Sequence, residues 1–146
     1  MDKFDIIGQL YRKAKANGWV YLVGDNFQQN ISATRQSMND GQLILTASFN
    51  CNPTILNSRT IAVEYVGEIG LGIKFDADGT PANLDEEFMD KYNNRLLMLM
   101  QTLAAFIGTF ECENGLSIVS SNFLIGLDRF DEDLDMVYCQ ITFRQQ

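Results

Sequence analysis

Residues 59–76 read RTIAVEYVGEIGLGIKFD, and the kind of domain this chain builds turns on whether that stretch forms a long strand. It is rich in β-branched and aromatic residues, which favour a pleated, half-buried backbone. Gly67, Gly70 and Gly72 punctuate it. Glycines inside a strand pattern signal a bulge, a sharp bend or the close approach of a neighbouring backbone. Upstream, QLILTASFN (42–50) is also strand-like, and Asn50, Asn52 and Pro53 are expected to break it.

Further upstream, Phe4, Ile7, Leu10, Tyr11 and Ala14 fall at helical spacing. That spacing predicts an amphipathic helix over 3–17, with Gly18 as the residue just past its end. WVYLV (19–23) reads as a short strand. Between Gly24 and Gly41 lies GDNFQQNISATRQSMNDG, mostly polar. A loop of that length in a small domain is unusual and tends to be functional. The segment suits a long loop or an extended arm, with Phe27, Gln28, Gln29, Ile31, Arg35 and Met38 as candidate interface residues.

Downstream, DADGTPAN is a turn, and Asn83 is a good helix N-cap with Glu86 as its capping-box partner. Asp85 and Glu87 sit at the favourable end of the helix dipole. The predicted helix runs from Leu84 to Ile107 and ends near Gly108. Phe88, Tyr92, Leu96, Leu99, Leu103 and Phe106 form its apolar stripe. Its second half, LLMLMQTLAAFIG, is apolar nearly all round; at 13 residues it falls short of the ~20 that span a bilayer. A helix apolar on every side is expected to be buried, in its own domain or against a neighbouring subunit. TFECENG then leads to LSIVSSNFLIGLDRF, a strand with a potential hairpin, and to the closing strand MVYCQITFRQQ. In that strand Val137, Cys139, Ile141 and Phe143 share one face, opposite Tyr138, Gln140, Thr142 and Arg144. The order α-β-β-β-α-β-β predicts a single α+β domain over 1–146, a mainly antiparallel sheet packed with one long helix and an N-terminal helix.

Composition narrows the function classes. The chain has 146 residues, 46% of them hydrophobic, and a net charge of −8. That charge disfavours direct binding to the phosphates of nucleic acid. The 11 Lys and Arg residues are scattered, with Arg12, Lys13 and Lys15 the densest group. No histidine is present, which removes the commonest general base and the commonest zinc ligand together. Cys51, Cys112 and Cys139 are odd in number and lack CxxC spacing. Neither a disulfide framework nor a zinc site is expected, and the usage suits a reducing cytoplasm. The N-terminal residues carry acids and lack a long apolar core, unlike a signal peptide. No cofactor, metal or membrane partner is expected.

Two acidic motifs invite a catalytic reading. LGIKFDADGT resembles the first motif of the haloacid-dehalogenase-like phosphatases; that resemblance implies Asp76 as nucleophile, Asp78 as general acid, and Mg²⁺ at the strand end. The remaining 66 residues offer one helix and about two strands rather than repeated βα units, and no lysine follows Lys91. The turn chemistry of Asp, Gly and Pro accounts for the motif instead. In DEDLDMVYCQITFRQQ (131–146), Asp131, Asp133 and Asp135 match the first three ligand positions of an EF-hand, but Met136 stands where glycine is needed and Thr142 where glutamate is needed. The aspartates are read as an exposed acidic turn, a candidate interface element. DADGTPANLDEE fails the same test, because its Gly79 falls at position 4. The sequence therefore favours a non-enzyme.

The element order, the acid-capped helix NLDEEFMDKYNNRLLMLMQTLAAF, and an acidic stretch leading into a final strand resemble the tail-terminator, tail-completion and head–tail joining (neck) proteins of tailed bacteriophages. The resemblance is one of topology over the whole chain. It implies a virion structural protein: a subunit of a homo-oligomeric ring in the neck or tail, contacting neighbouring portal or tail proteins, with DNA passing through without specific binding. Head-to-tail contacts that close make such rings. The alternatives are a Mg²⁺-dependent phosphatase-like enzyme and a small intracellular binding or adaptor domain.

Overall fold

A computed structural model describes residues 4–23, 38–74, 89, 92–124 and 134–145. In chain order these form α1 (Ile6–Ala16), β1 (Val20–Val23), β2 (Leu43–Leu56), β3 (Arg59–Lys74), a π turn (Tyr92–Leu96) running into α2 (Leu97–Asn114), β4 (Ser117–Leu124) and β5 (Leu134–Gln145). The strands make one five-stranded sheet of order β1-β2-β3-β5-β4. β1 pairs parallel with β2, from Val20↔Ile44 to Val23↔Ala47, and every other pairing is antiparallel. The α+β class read from the sequence is the class observed.

The parallel β1–β2 pair accounts for a length that the sequence left as a puzzle. Adjacent antiparallel strands can be joined by two residues, whereas a parallel neighbour is reached only by a crossover of a dozen or more. A long 24–42 connection is required by topology, whatever else it does.

α1 starts at Asp5, whose carboxylate accepts from Gly8 N at 3.0 Å and pairs with Arg12 at 3.2 Å. It ends at Asn17, and Gly18 follows with φ +75°, as the sequence predicts. α2 departs from expectation. It passes through Gly108 and runs to Asn114, where Gly115 ends it in the left-handed conformation at φ +63°. Gly108 is solvent-facing with nothing within 4 Å of a built Cβ, so nothing at that position bends the chain; Gly115 alone adopts the αL geometry that stops a helix. The segment TFECEN is therefore the last turn of the helix. The extension places Phe110 in the core. From Asn93 to Asn114 the helix is 22 residues, long and apolar enough by length and composition to cross a membrane, more than the 13 residues counted from sequence.

One face of that helix lies on the sheet. Leu96, Leu99, Leu103 and Phe106 are buried, as their spacing predicts, together with Ile107 and Phe110. They meet Leu10 and Ala14 of α1, Leu45, Ile69 and Leu71 of the central strands, and Val137, Cys139, Ile141 and Phe143 of β5 in one core cluster. The outward face carries Leu97 and Met98, each 38% exposed, with Ala104, Ala105 and Gly108 beyond them. The all-round apolar helix is thus buried on one side only. On the opposite face of the sheet, Met38, Ile44, Met136 and Tyr138 form a second, smaller buried cluster.

The strand β2 also departs from expectation. It continues through Asn50, Asn52 and Pro53 to Leu56, and the turn is Asn57–Ser58, both at positive φ (51° and 63°). Two left-handed residues make the tight hairpin connection whose twist matches that of its strands. Among the described residues β1 pairs with β2 only as far as Ala47, so Pro53 lies where β2 has no second partner among them, and proline belongs on strand edges. The glycines of β3 mark close approach rather than a bulge, since the β2 and β5 registers run without a shift from Gly67 to Gly72. A Cβ on Gly67 would overlap Ser48 O and come within 2.8 Å of Phe49 Cα; on Gly72 it would meet Met136 Cγ at 2.8 Å.

Candidate interaction surfaces

Three surfaces stand out, and each follows from how the strands end. β5 covers β3 only as far as Val63↔Gln145, and β1 leaves β2 at Ala47. Residues Thr54–Ala62 consequently pair only with each other among the described residues. Three residues of β2 (54–56) and four of β3 (59–62) lie between the Pro53↔Val63 rung and the turn, a length of about 10–13 Å at ~3.3 Å per residue. A register shift at Thr54/Ile55 twists it near the tip. The tip is apolar: Ile55, Leu56 and Ile61 are 64%, 57% and 46% exposed. Ile55 and Leu56 are consecutive in the strand and face opposite sides of the hairpin, so apolar side chains stand in solvent on both of its faces.

The second surface is a groove of about 450 Å³ between the end of α1 and the outer side of α2. Half-buried Trp19 contributes aromatic surface to it, with the buried Phe106 ring 5.2 Å away, centroid to centroid. Ala105, Thr102 and Thr109 line the α2 side, and Lys13 sits with its ammonium 5.5 Å from the Phe106 ring centroid. Lys13 also pairs with Glu113 at 2.9 Å, which ties the C-terminal ends of the two helices together. Beside them, the Tyr21 hydroxyl donates to Ile7 O at 3.0 Å. Burial, and then the charge of Asp5, push its pKa well above that of a free phenol.

The third is a basin of about 810 Å³ on the sheet, lined by Ser48, Glu68, Ser120, Asn122, Gln140 and Thr142 among others. Its chemistry is hydrogen bonding by hydroxyls and carboxamides around one carboxylate. None of its other lining residues is ionisable. Among the described residues no group of three or more His, Cys, Asp or Glu is placed to hold a metal ion.

The residues singled out from sequence fare differently. Phe27, Gln28, Gln29, Ile31, Arg35, Asp131 and Asp133 lie outside the described residues, as do Asp76, Asp78 and the Asn83 cap. Met38 is 4% exposed and packs in the second cluster, so its side chain serves the subunit's own packing. Asp135 corrects the acidic-turn reading: it belongs to β5, is fully buried, and its carboxylate accepts from Arg95 of the π turn. The strand's period puts Asp135 on the same face as Val137, where it is carried under the helix. Truncating its charge leaves Arg95 without this partner. Asp135→Asn is expected to cost about 1.5–3 kcal/mol, the range for a hydrogen bond to a charged group, read as a lower urea midpoint at unchanged m-value. An unchanged midpoint would show that the pair contributes nothing to stability.

The three thiols separate by exposure. Cys51 and Cys112 are exposed and Cys139 is buried. Burial raises the Cys139 pKa, the backbone N–H of Asn122 opposes this, and Glu68 adds to it. Thiolate is the reactive form. A small thiol reagent is expected to modify two cysteines rapidly in the native protein and Cys139 only on unfolding; three fast thiols would contradict the buried placement.

The hairpin tip and the groove escaped the sequence reading. Pro53 reads as a strand breaker, and Asn57–Ser58, between TIL and RTIAV, lacks the glycine of the usual two-residue hairpin signals. The groove joins Trp19 to Phe106 across 87 positions of sequence (106 minus 19), and no local pattern reports that. No protein-family model matches the chain, and no curated protein matches it.

Proposed function

We propose that this chain is a structural subunit of a ring in the neck or tail of a tailed bacteriophage, a tail terminator, tail-completion or head–tail joining protein residing in the virion. The observation that supports this best is the β2–β3 hairpin, standing clear of the sheet with Ile55, Leu56 and Ile61 in solvent. An apolar tip on a projecting hairpin is a poor design for a lone monomer and a good one for a part that joins others. The topology-level resemblance points the same way. The net charge of −8 suits a passage for DNA, because a negative lumen repels the phosphate backbone and does not trap it.

Native mass spectrometry and electron microscopy of the concentrated full chain test the reading. A closed assembly of one size is the expected result, alone or on a partner ring from the same neck. A strict monomer that hydrolyses a phosphomonoester with Mg²⁺, and loses this on Asp76→Asn, would instead establish the phosphatase alternative.

A further inference from the structure

We infer that the cavity between the C-terminal ends of α1 and α2 is a binding site for the amide group of a neutral polar ligand, received by the carboxamide of Gln9. The site belongs to the single subunit and does not depend on the ring reading. It measures about 630 Å³, within the range of small-ligand pockets. Its α1 wall is formed by positions 9, 12, 13, 16 and 17, and its α2 wall by Glu113 and Asn114. The α1 positions fall at i, i+3, i+4, i+7 and i+8, one continuous stripe of a helix. Lys13 looks towards α2, because its ammonium pairs with Glu113. Gln9 lies one turn before it on the same face.

Gln9 is the exceptional member of the stripe. It is 7% exposed, and neither its Nε2 nor its Oε1, both buried, has a hydrogen-bond partner among the described residues. Burying polar groups unsatisfied lowers stability, and native proteins keep few of them. An apolar side chain of the same length would fill the place without that loss. The carboxamide instead offers N–H donors beside one acceptor. The group that satisfies both at once is another amide, a C=O beside an N–H. Charge favours a neutral ligand. An anion would face Glu113 and the carbonyl ends of both helices, which carry partial negative charge. A cation would face Arg12 and Lys13. These charges already compensate one another, with Asp5 beside Arg12 at 3.2 Å and Glu113 beside Lys13 at 2.9 Å. The side chains of Arg12 and Glu113 are 63% and 57% exposed, and exposed ion pairs hold weakly. Their rotation admits the ligand to Gln9.

The test is a proton–nitrogen NMR titration of the full chain, reading the side-chain NH₂ signals of Gln9 after through-bond assignment. The probes are acetamide, for a free small amide, and N-acetylalanine N-methylamide, for the main chain of a peptide. A saturable shift of the Gln9 signals is expected with at least one, and the probe that saturates at lower concentration identifies the source. Gln9→Met, apolar and of similar length, is expected to melt a few degrees higher without probe, because two orphaned groups are gone. It is also expected to weaken binding at least about tenfold, read on the backbone signals of Lys13 and Asn114. No saturable shift with either probe, or equal saturation in Gln9→Met, would overturn the proposal. So would a folded Gln9→Met that melts no higher than the wild type, since the carboxamide would then already be satisfied by water alone. The wild-type titration decides the matter even where the variant does not fold.

Discussion

Phe110→Ala is expected to destabilise the protein by about 3–5 kcal/mol, the cost of emptying a large aromatic from a packed core. Phe110 is 0% exposed. Its ring lies parallel to Phe106, with centroids 6.2 Å apart, and meets Phe143 of β5 edge-on at 5.7 Å. Phe49 of β2 continues the set at 6.1 Å from Phe143. The substitution removes both the apolar area and the aromatic contacts, each pair worth about 0.5–1.5 kcal/mol beyond burial. A calorimetric or urea melt measures it. The residue also decides between two helix ends. Were the helix to stop at Gly108, Phe110 would lie in a connecting segment and alanine there would cost little. A loss under about 1 kcal/mol, the surface-like range, would count against the extended helix.

Gly67→Ala is expected to cost about 3 kcal/mol or more, at the upper end of overpacking penalties. The added methyl would overlap Ser48 O and crowd Phe49 Cα. Both are backbone atoms of the paired strand, so no rotamer change relieves the clash and β2 must separate from β3. Gly108→Ala is the matched control. That position lies within α2 and nothing stands within 4 Å of a built Cβ. Alanine is the better helix former by about 0.8–1 kcal/mol, so a small rise in melting temperature is expected there. Equal effects at the two glycines would refute the close approach of β2 and β3. Because the hairpin grows out of the Gly67 region, Gly67→Ala should also weaken any assembly that uses the tip.

The two glycines illustrate what can be read from sequence. GEIGLG within a β-rich run announced that something unusual happens to a strand, with three physical alternatives. Only a neighbouring backbone, contributed by residues nineteen positions away at Ser48 (67 minus 48), selects close approach. Gly108 and Gly115 are alike as local stop signals. Tertiary packing chose the second, because Phe110 has a core to enter and the helix must continue to deliver it. Pro53 is the converse case. It is a breaker in a central strand, but among the described residues β1 pairs with β2 only as far as Ala47, and proline is accepted where no neighbouring strand needs its N–H.

The candidate surfaces follow the same division. An acidic run at 131–135 looked uniform, yet the alternation of a strand carries Asp135 into the core to pair with Arg95. Among the described residues neither β1 nor β5 flanks the hairpin tip, and Ile55, Leu56 and Ile61 stand in solvent.

Sequence alone determined the α+β class, the element order, the N-terminal helix and its glycine stop, the apolar stripe of the long helix and the core face of the last strand. These are set by periodicity, and periodicity is a local property of the chain. The tertiary structure decided where α2 ends, how far β2 runs, which glycines touch a neighbour, which aspartate is buried, and which apolar residues stay in solvent. Each of these depends on the lengths and positions of neighbouring elements, and that information enters only when distant segments pack together.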